Sequence, residues 1–500
     1  MKMTFLFLII LVFSNSVSAA PKAKLRWGAD IESGAPFSFI SPEDNKKVTG
    51  FEAEIVELLA KELDMEVEYI QNSWDGLIAG LNRKDYDIVI NGVEITPDRA
   101  EVVHFSRPYY YTAEALAVRK GNTDITKLED LKNRKVGTLN ASLAQRILEQ
   151  QTFPITIVGY DEEVHSYRDL EIERLDAVLL DEAIALYYAK PNPALKLVGG
   201  PVGYMEYGVV TRLDDKEFSQ KVKIALDKLI ENGRLQSVLE RWNLWNAMTA
   251  KAWGKSSTAL TEPVAYDNYI KHTSKKITLF ERLKKYASFL PLLGKGAIMT
   301  LEISLVSMVL AMVLGLITAL MRLYGHPVVR WLGVAYVEVF RGTPLLIQLY
   351  LIFYGLPYVG LTLDPFVAAV FGLGLNYGAC EAENYRAGIL SIPKTQMDAA
   401  QALGMNWYQS LRYIILPQAI RVVIPPVTND FIALLKDSSL VSVISMVELT
   451  TVYGQLSSSS FDYLGLGLLT ASVYFLIGLP FVRLARYFEL QMANTAAKKF

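Results

Sequence analysis

The sequence predicts two fold classes in series: an α/β domain over residues 20–246 and an all-α transmembrane domain over residues 289–490. In the first part, short apolar runs alternate with stretches whose apolar residues recur at helical spacing. This pattern is typical of layered α/β structure with parallel strands. In the second part, the apolar segments are long enough to cross a bilayer. Hydrophobic residues make up 51% of the 500 residues, which fits a chain that lies partly in lipid.

Composition and motif content exclude several functions. The net charge of −2 argues against a nucleic-acid partner, and the single cysteine, Cys380, excludes an intrachain disulfide. The four histidines are scattered without metal-ligand spacing,. The P-loop pattern GxxxxGK followed by Ser or Thr does not occur, so we expect no ATP hydrolysis by this chain. No Ser/His/Asp or Cys/His arrangement favours catalysis, and we expect neither a metal nor a cofactor.

Residues 1–19 have the pattern of a secretory signal peptide. Lys2 precedes an apolar stretch at residues 5–13, and small residues follow at 17–19. We predict cleavage after Ala19. An uncleaved membrane anchor is the alternative, but the apolar stretch is short beside the about 20 residues of a membrane span.

Residues 20–246 resemble the periplasmic amino-acid-binding proteins along nearly their whole length. The matching blocks are GADIESGAPFSF, GFEAEIVELLAKEL, WDGLIAGL, DIVINGVEITPDRAEVVHFSRPYY, LKNRKVGTLNAS and DAVLLDEAIA. The resemblance implies a type II periplasmic-binding-protein-like fold, whose two lobes are joined by two crossing strands and close around the ligand. The implied bounds are about 25–113 and 207–246 for the first lobe, about 121–204 for the second lobe, and about 113–119 and 207–211 for the crossings.

The resemblance also implies a ligand site. Arg99 in the block ITPDR matches the residue that binds the ligand α-carboxylate, for which the guanidinium fork is suited; a surface salt bridge is the alternative. Asp181 in LLDE matches the acid that binds the ligand ammonium, with an N-cap as its alternative role. The remaining matched positions are Asp30, Phe37, Trp74, Asn91, Gly92 and Ser142.

Four of these positions have implied roles. Gly92 presents its backbone carbonyl to the ammonium, and Phe37 and Trp74 line the side-chain pocket unless they belong to the ordinary core. Asp30 meets the ligand side chain.

Glu94 departs from the family pattern, because the matching position usually holds Ser or Thr. The second-lobe loop also departs, since Ser142 is followed by Leu143 where a hydroxyl residue is usual. A buried acid is costly unless a cation meets it. Glu94 therefore favours a basic or amine-bearing ligand, with pairing to Arg99, or a side chain that points away, as the alternatives.

Residues 247–288 are irregular and end in a cluster of basic residues, which predicts a linker with a short interfacial amphipathic segment. Loops rich in Lys and Arg alternate with loops poor in them along the membrane half. This bias predicts that residues 20–246 lie outside the membrane and the tail at 491–500 inside. Five spans are predicted, at 291–321, 329–356, 365–387, 418–437 and 464–489.

The loop at residues 391–417 contains Asp398-Ala399-Ala400, then Gly404 and Pro417. Ala400 and Gly404 are four apart, which predicts a helical face with almost no side chain; an interfacial or re-entrant helix with an incidental small face is the alternative. The loop, with residues 339–357 and 420–450, resembles the EAA-motif permeases of polar amino-acid ABC importers, with Asp398 in place of Glu. The resemblance implies that this loop docks a separate ATPase subunit.

These features favour a solute-binding domain fused to its permease, which imports a polar L-amino acid, with a basic one favoured by Glu94, by alternating access. Membrane lipid, the separate ATPase and a second copy of the chain are the expected partners, since one permease half is not a full pathway. A ligand-gated receptor or channel is the alternative, but it has no use for an ATPase-docking loop, and no TVGYG-like filter is present,. An enzyme built on the binding-protein fold lacks candidate catalytic residues.

Overall fold

The structure is a computed structural model that describes residues 22–42, 44, 47–274, 278–460 and 462–497. The predicted signal peptide at residues 1–19 lies outside the described residues. The strands, in chain order, are β1 Ala23–Ala29, β2 Phe39–Ile40, β3 Val48–Thr49, β4 Met65–Gln71, β5 Ile88–Val89, β6 Val103–Phe105, β7 Tyr110–Arg119, β8 Lys135–Leu139, β9 Thr156–Tyr160, β10 Ala177–Asp181, β11 Leu195–Tyr207 and β12 Val210–Arg212.

The helices that precede the membrane half are α1 Phe51–Glu62, α2 Leu77–Asn82, α3 Pro97–Ala100, α4 Leu143–Glu149, α5 Glu163–Glu171, α6 Glu182–Tyr188, α7 Lys216–Glu231, α8 Arg234–Arg241, α9 Ala247–Ala252 and α10 Val264–Ser274. The helices of the membrane half are α11 Leu279–Tyr324, α12 Pro327–Gly342, α13 Leu345–Tyr350, α14 Pro365–Leu390, α15 Lys394–Ala402, α16 Trp407–Ser410, α17 Leu416–Asp437, α18 Leu449–Ser460 and α19 Tyr463–Ala497. Two π-helical stretches, Leu351–Gly355 and Leu411–Ile415, continue α13 and α16.

Two five-stranded sheets form the two lobes, with strand orders β4-β1-β5-β12-β6 and β11-β7-β10-β8-β9. β1 is parallel to β4 and β5, and β8 is parallel to β9 and β10. The helices cover these sheets with apolar faces; in α1, Ile55, Val56 and Leu59 are fully buried. The predicted α/β layers with parallel strands are therefore confirmed.

The first crossing between the lobes lies earlier than predicted. β7 pairs along its length with β11 and β10 in the second sheet, so residues 113–119 belong to that sheet. The chain leaves the first sheet after β6, at residues 106–109, and returns at residues 208–209 before β12. The placement near 113–119 is wrong because β7 is buried along almost its whole length, and a continuous apolar strand does not show where one sheet gives way to the next.

The linker is more ordered than the irregular pattern predicted. α9 and α10 pack on the binding lobes: Tyr269 of α10 is 5% exposed and contacts the rings of Phe39 and Tyr187. α11 begins at Leu279 behind the N-cap Thr278 and runs unbroken into the membrane half. The described part of residues 247–288 is therefore largely helical instead of irregular, and aromatic burial holds α10 to the lobes.

Helices coincide with all five predicted spans, and α11 packs along α14 at their centre. Within the described part of the chain, α11 and residues 463–488 of α19 are long and apolar enough to span a membrane by themselves. Residues 327–342 and 345–359 form a third candidate only as one pair bent by 107°. The helical membrane domain is confirmed, and the count of five spans stays a prediction. α17 continues through Pro425 and Pro426.

The loop at residues 391–417 does not form the helical face that the spacing of Ala400 and Gly404 predicted. α15 ends at Ala402, and Gly404 lies beyond it with φ +88°. The N–H of Gly404 donates to Gln401 O at 2.9 Å and that of Met405 donates to Ala400 O at 3.2 Å, which is a Schellman cap. Ala400 and Gly404 therefore do not share a face, because glycine ends the helix. Pro417 lies at the start of α17, directly after the π-helical stretch Leu411–Ile415.

Candidate functional site

A cavity of about 40 Å³ lies between the two lobes. Its walls come from the first lobe and from β7, β10 and the start of α4 in the second. The structure thus brings most of the predicted ligand-binding residues together, while their contacts with a ligand stay predictions. Those that line the cavity are Phe37, Trp74, Asn91, Gly92, Glu94, Ser142 and Asp181.

Arg99 pairs with Glu94 at the edge of this cavity. Thr96 caps α3 and so places Arg99 in the first turn, from which its Nη1 donates to the Glu94 carboxylate and, at 3.2 Å, to Glu94 O. The other carboxylate oxygen of Glu94 accepts from the backbone N–H of Leu143 at 3.3 Å. Glu94 therefore links the two lobes through its carboxylate, and pairing with Arg99 is the alternative that the structure shows.

Asp181 has the N-cap role that was the alternative considered for it. At the end of β10, its Oδ1 caps α6 by accepting from Ala183 N at 2.7 Å, and it accepts from Thr112 Oγ1 at 3.2 Å. Its Oδ2 has no hydrogen-bond partner among the described residues. Burial raises the pKa of Asp181 to about 8. One oxygen therefore has a structural role, and binding of the ligand ammonium by the other stays a prediction.

Gly92 lies in a loop that buried polar groups hold in place. Its φ of +62° suits glycine, and its N–H donates to Glu52 Oε1 at 2.7 Å. Tyr109 donates its hydroxyl to the same oxygen, and burial raises the pKa of Glu52 to about 8. Asn91 accepts from Asp30 N at 2.8 Å. These bonds fix the backbone that faces the cavity.

Asp30 and Ser142 have local structural partners. The Asp30 carboxylate accepts from Gln71 Nε2 at 3.0 Å and from Trp74 N at 2.9 Å, and it lines a neighbouring cavity instead of this one. Ser142 caps α4 and donates its hydroxyl to Leu139 O at 2.7 Å. In this arrangement the Ser142 proton is committed, and the backbone N–H of Leu143 is the second-lobe donor that contacts a carboxylate.

Two buried acids in the cavity wall were missed by the sequence prediction. Glu114 on β7 is 3% exposed and Glu163 at the start of α5 is 6% exposed, and both line the cavity. Burial raises the pKa of each well above its usual range. A signal for Glu114 was present, since it is the one acid in the otherwise apolar run YYTAEALAV.

Two protein families match the chain. The family of bacterial extracellular solute-binding proteins, family 3, matches residues 25–244. The family of binding-protein-dependent transport system inner membrane components matches residues 311–494.

Curated relatives match each half. The L-cystine transport system permease protein TcyB of Bacillus subtilis (strain 168) is 45% identical over 175 residues, which are 35% of this chain and 75% of the relative. The L-cystine-binding protein TcyJ of Escherichia coli (strain K12) is 35% identical over 209 residues, which are 41% of this chain and 78% of the relative. The chain belongs to the amino-acid ABC importers. A solved ancestral arginine-binding protein bound to glutamine is 32% identical, covers 45% of this chain and 100% of its own, and has a TM-score of 0.42.

In this importer chain, the amino-acid-binding domain and the permease domain are parts of one polypeptide. The permease family and the apolar helices place the chain in the inner membrane as a multi-pass protein. The matched families are transport components, so the receptor alternative has no support among them.

A second cavity, of about 390 Å³, lies between the binding domain and the permease domain. Both lobes and the permease contribute to its walls, and Trp74 and Leu139 border this cavity and the smaller one alike. Its binding-domain wall includes the acids Asp30, Glu32, Asp75, Asp161 and Glu162, and its permease wall includes Tyr350, Ser442, Ser445, Thr450 and Tyr453.

Both lobes of the importer contact the permease directly. Arg83 of the first lobe donates to Phe353 O at 3.1 Å, and its guanidinium lies 3.4 Å from the centre of the Phe353 ring. Ser445 donates to Asn72 of the same lobe. Ser458 of α18 donates to Glu162 of the second lobe at 2.8 Å. The permease therefore touches each lobe at a separate point.

The predicted ATPase-coupling residues lie on α15 and the turn after it. Asp398 and Ala399 are exposed, Ala400 is buried, and Gly404 is exposed in the Schellman turn. Large apolar side chains are exposed beside them: Leu403, Trp407, Tyr408 and Tyr413. We call these four side chains the coupling surface.

Proposed function

We propose that this chain captures a polar, preferentially basic, L-amino acid outside the membrane and passes it through a dimeric permease by alternating access. One observation carries the proposal: the cleft already holds a carboxylate, that of Glu94, between Arg99 of the first lobe and Leu143 N–H of the second. A ligand α-carboxylate in the same position meets a guanidinium and a backbone donor, which is strong carboxylate recognition.

The same geometry supports roles for the other cavity residues. The ligand ammonium lies against Asp181, whose Oδ2 has no partner among the described residues, and near the backbone of Gly92. Phe37 and Trp74 line the space for the ligand side chain, while Asn91, Ser142 and Asp30 hold the loops in place. The names of relatives refer to cystine, glutamine and arginine, and the acids in the cavity favour the basic end of that range.

The contacts between domains support delivery of the solute to the permease. Arg83 and Asn72 of the first lobe and Glu162 of the second lobe all touch permease groups. A change in the angle between the lobes therefore changes the fit to the permease. The cavity of about 390 Å³ borders the binding cavity and provides the path between the two domains.

A separate ATPase subunit is proposed to bind the cytoplasmic coupling surface together with the neighbouring exposed residues Asp398, Ala399 and Gly404. Exposed aromatic residues such as Trp407 and Tyr408 are typical of protein interfaces. The orientation, with the C-terminus also inside, rests on the distribution of Lys and Arg. Other exposed apolar side chains support contact with lipid and with a second copy of the chain; examples are Ile298, Val313, Val328, Trp331 and Phe475.

The carboxylate site is tested by Arg99→Ala in the full chain reconstituted in lipid nanodiscs. Calorimetry against the twenty common amino acids should find at least one ligand for the wild type and none for the variant, because removing one partner of a buried charged contact costs about 2–5 kcal/mol. Arg99→Lys keeps the charge without the fork and should bind with intermediate affinity. Wild-type affinity in Arg99→Ala would contradict the assignment.

A further inference from the structure

Two carboxylates face each other on neighbouring strands beside the cavity. Glu114 of β7 is the direct register partner of Asp181 of β10. Directly opposite residues share one face of a sheet, with Cβ atoms about 5 Å apart. Both side chains line the cavity, and they are only 3% and 8% exposed. The sheet therefore fixes two acids side by side in a dry place.

Each of these acids has an oxygen without a partner. Glu114 Oε2 and Asp181 Oδ2 are buried and make no hydrogen bond to any described residue. Like charges directly opposite each other in a sheet are unfavourable, and a buried polar atom without a partner is rare in a stable fold. A cationic group between the two acids removes both penalties at once.

The charges around the cavity also favour a cationic group in the solute. Its lining contains Glu94, Glu114, Glu163 and Asp181, and no Lys, Arg or His among the described lining residues. Arg99, at the edge, is already paired with Glu94. When a solute carboxylate binds Arg99, Glu94 loses its cationic partner. The cavity then contains one more acid without a counter-charge. A solute with a single ammonium has only one cationic group to place among these acids.

We infer that the solute carries a second cationic group besides its α-ammonium, and that Glu114, opposite Asp181, determines this specificity. The inference rests on the proposed function and narrows its substrate class. Two kinds of amino acid present such a group: those with a basic side chain, and those with a second α-ammonium. Glu114 is the residue that distinguishes them from neutral amino acids of the same size.

The test compares matched pairs of amino acids by calorimetry with the full chain in nanodiscs. The pairs are L-lysine with L-2-aminoheptanoic acid, L-arginine with L-citrulline, and L-cystine with the mixed disulfide of L-cysteine and 3-mercaptopropionate. In the wild type, the member with the second cation should bind at least tenfold more tightly in one or more pairs. The pair that responds shows whether the second cation is a side-chain group or a second α-ammonium.

Glu114→Gln should reduce that ratio at least tenfold while the neutral member keeps its affinity within twofold. Glu129→Gln is the matched control, because it removes one exposed acid of the same lobe away from the cavity, and it should leave the ratio unchanged. Glu114→Asp retains the charge and should keep most of the preference, which also covers the case in which Glu114→Gln fails to fold.

An unchanged ratio in Glu114→Gln, or equal binding of both members by the wild type, overturns the inference and leaves the proposed function intact. Failure of every amino acid to bind the wild type overturns the proposed function and the inference with it.

Discussion

Glu94 occupies the position at which a ligand carboxylate is expected, and it does so from within the chain. Its carboxylate contacts Arg99 and Leu143 N–H, one from each lobe. The motif ITPDR made Arg99 predictable from sequence, and the departure from Ser or Thr made Glu94 conspicuous. The sequence left the pairing of Glu94 with Arg99 as one of several alternatives. The rotamer of Glu94 depends on the closure of the lobes, which the sequence does not give.

Glu94→Gln should therefore act on both affinity and selectivity. Neutral amino acids such as L-glutamine should bind more tightly, because Arg99 no longer has an internal competitor, while the preference for L-arginine over L-citrulline should fall. Calorimetry on the full chain measures both quantities. Equal losses for L-arginine and L-glutamine would show that Glu94 does not act on ligand charge.

The protonation of Asp181 predicts a pH dependence of binding. Burial raises its pKa to about 8, so the empty site holds a proton at pH 7, and an arriving ammonium displaces it. Affinity should rise from pH 6 to about pH 8 and then level off. The ionisable groups that face Asp181 across the cavity are Glu94, Glu114 and Glu163, with Arg99 at its edge.

Calorimetry at pH 7 in buffers of different ionisation enthalpy should show proton release on binding, and Asp181→Asn should release fewer protons. Stability follows the opposite sign: the proton bound in the folded state stabilises the empty protein fully below about pH 4, and this contribution is lost as pH rises through about 8. Proton uptake on binding would contradict the assignment.

Glu114 shows why part of the site escaped prediction. The sequence identifies it as an acid in an apolar strand, but only the β7–β10 register places it opposite Asp181. Register depends on pairing between segments more than 60 residues apart, which periodicity within one segment does not encode.

At the scale of elements, the alternation of strands and helices was sufficient to predict α/β layers, and the long apolar segments a helical membrane half, whereas the division into two lobes was implied by the family resemblance. The ends of elements were harder to predict. Gly404 was placed on a helical face by counting four residues from Ala400, yet its φ of +88° puts it in the turn that ends α15. Glycine after a helix favours termination over continuation, and that preference outweighs the spacing.

Gly404→Leu should impair coupling by straining this turn, because a left-handed backbone costs a non-glycine residue about 1–2 kcal/mol. No atom lies within 4 Å of the added Cβ, so overpacking is not the cause. Binding of the amino acid should be unchanged, while uptake by intact cells should fall. Gly404→Asn is the control, since asparagine tolerates this conformation, and it should retain most uptake. Full uptake in Gly404→Leu would remove the turn from the coupling mechanism.

At the scale of the whole molecule, the separate contacts of the two lobes with the permease make lobe closure detectable by the membrane domain. Sequence did not predict these contacts, because Arg83 and Phe353 are far apart in the chain and the family resemblance of residues 339–357 carries no information about a contact with the binding domain. The resemblance to separate binding proteins and permeases predicts the fold of each half. It does not predict the surface at which the binding domain contacts the permease domain.

Arg83→Ala should leave amino-acid affinity unchanged and lower uptake several-fold. Its side chain is 5% exposed and lies over the Phe353 ring. Removing this side chain therefore weakens the contact between the first lobe and the permease domain. Lys84→Ala is the matched control, since Lys84 is exposed and pairs with Asp214 within the binding domain. Equal uptake in both variants would show that this contact is dispensable.

The packing of α9 and α10 against the binding lobes limits how far the binding domain can move from the permease domain. Only residues 275–278 separate the end of α10 from the start of α11. Five extended Cα steps reach at most roughly 18 Å. The binding domain thus remains at a high effective concentration beside the permease to which it is joined. A free binding protein must find a permease by diffusion. Delivery is then a first-order event within the assembled permease, and its rate does not depend on the concentration of a freely diffusing binding protein.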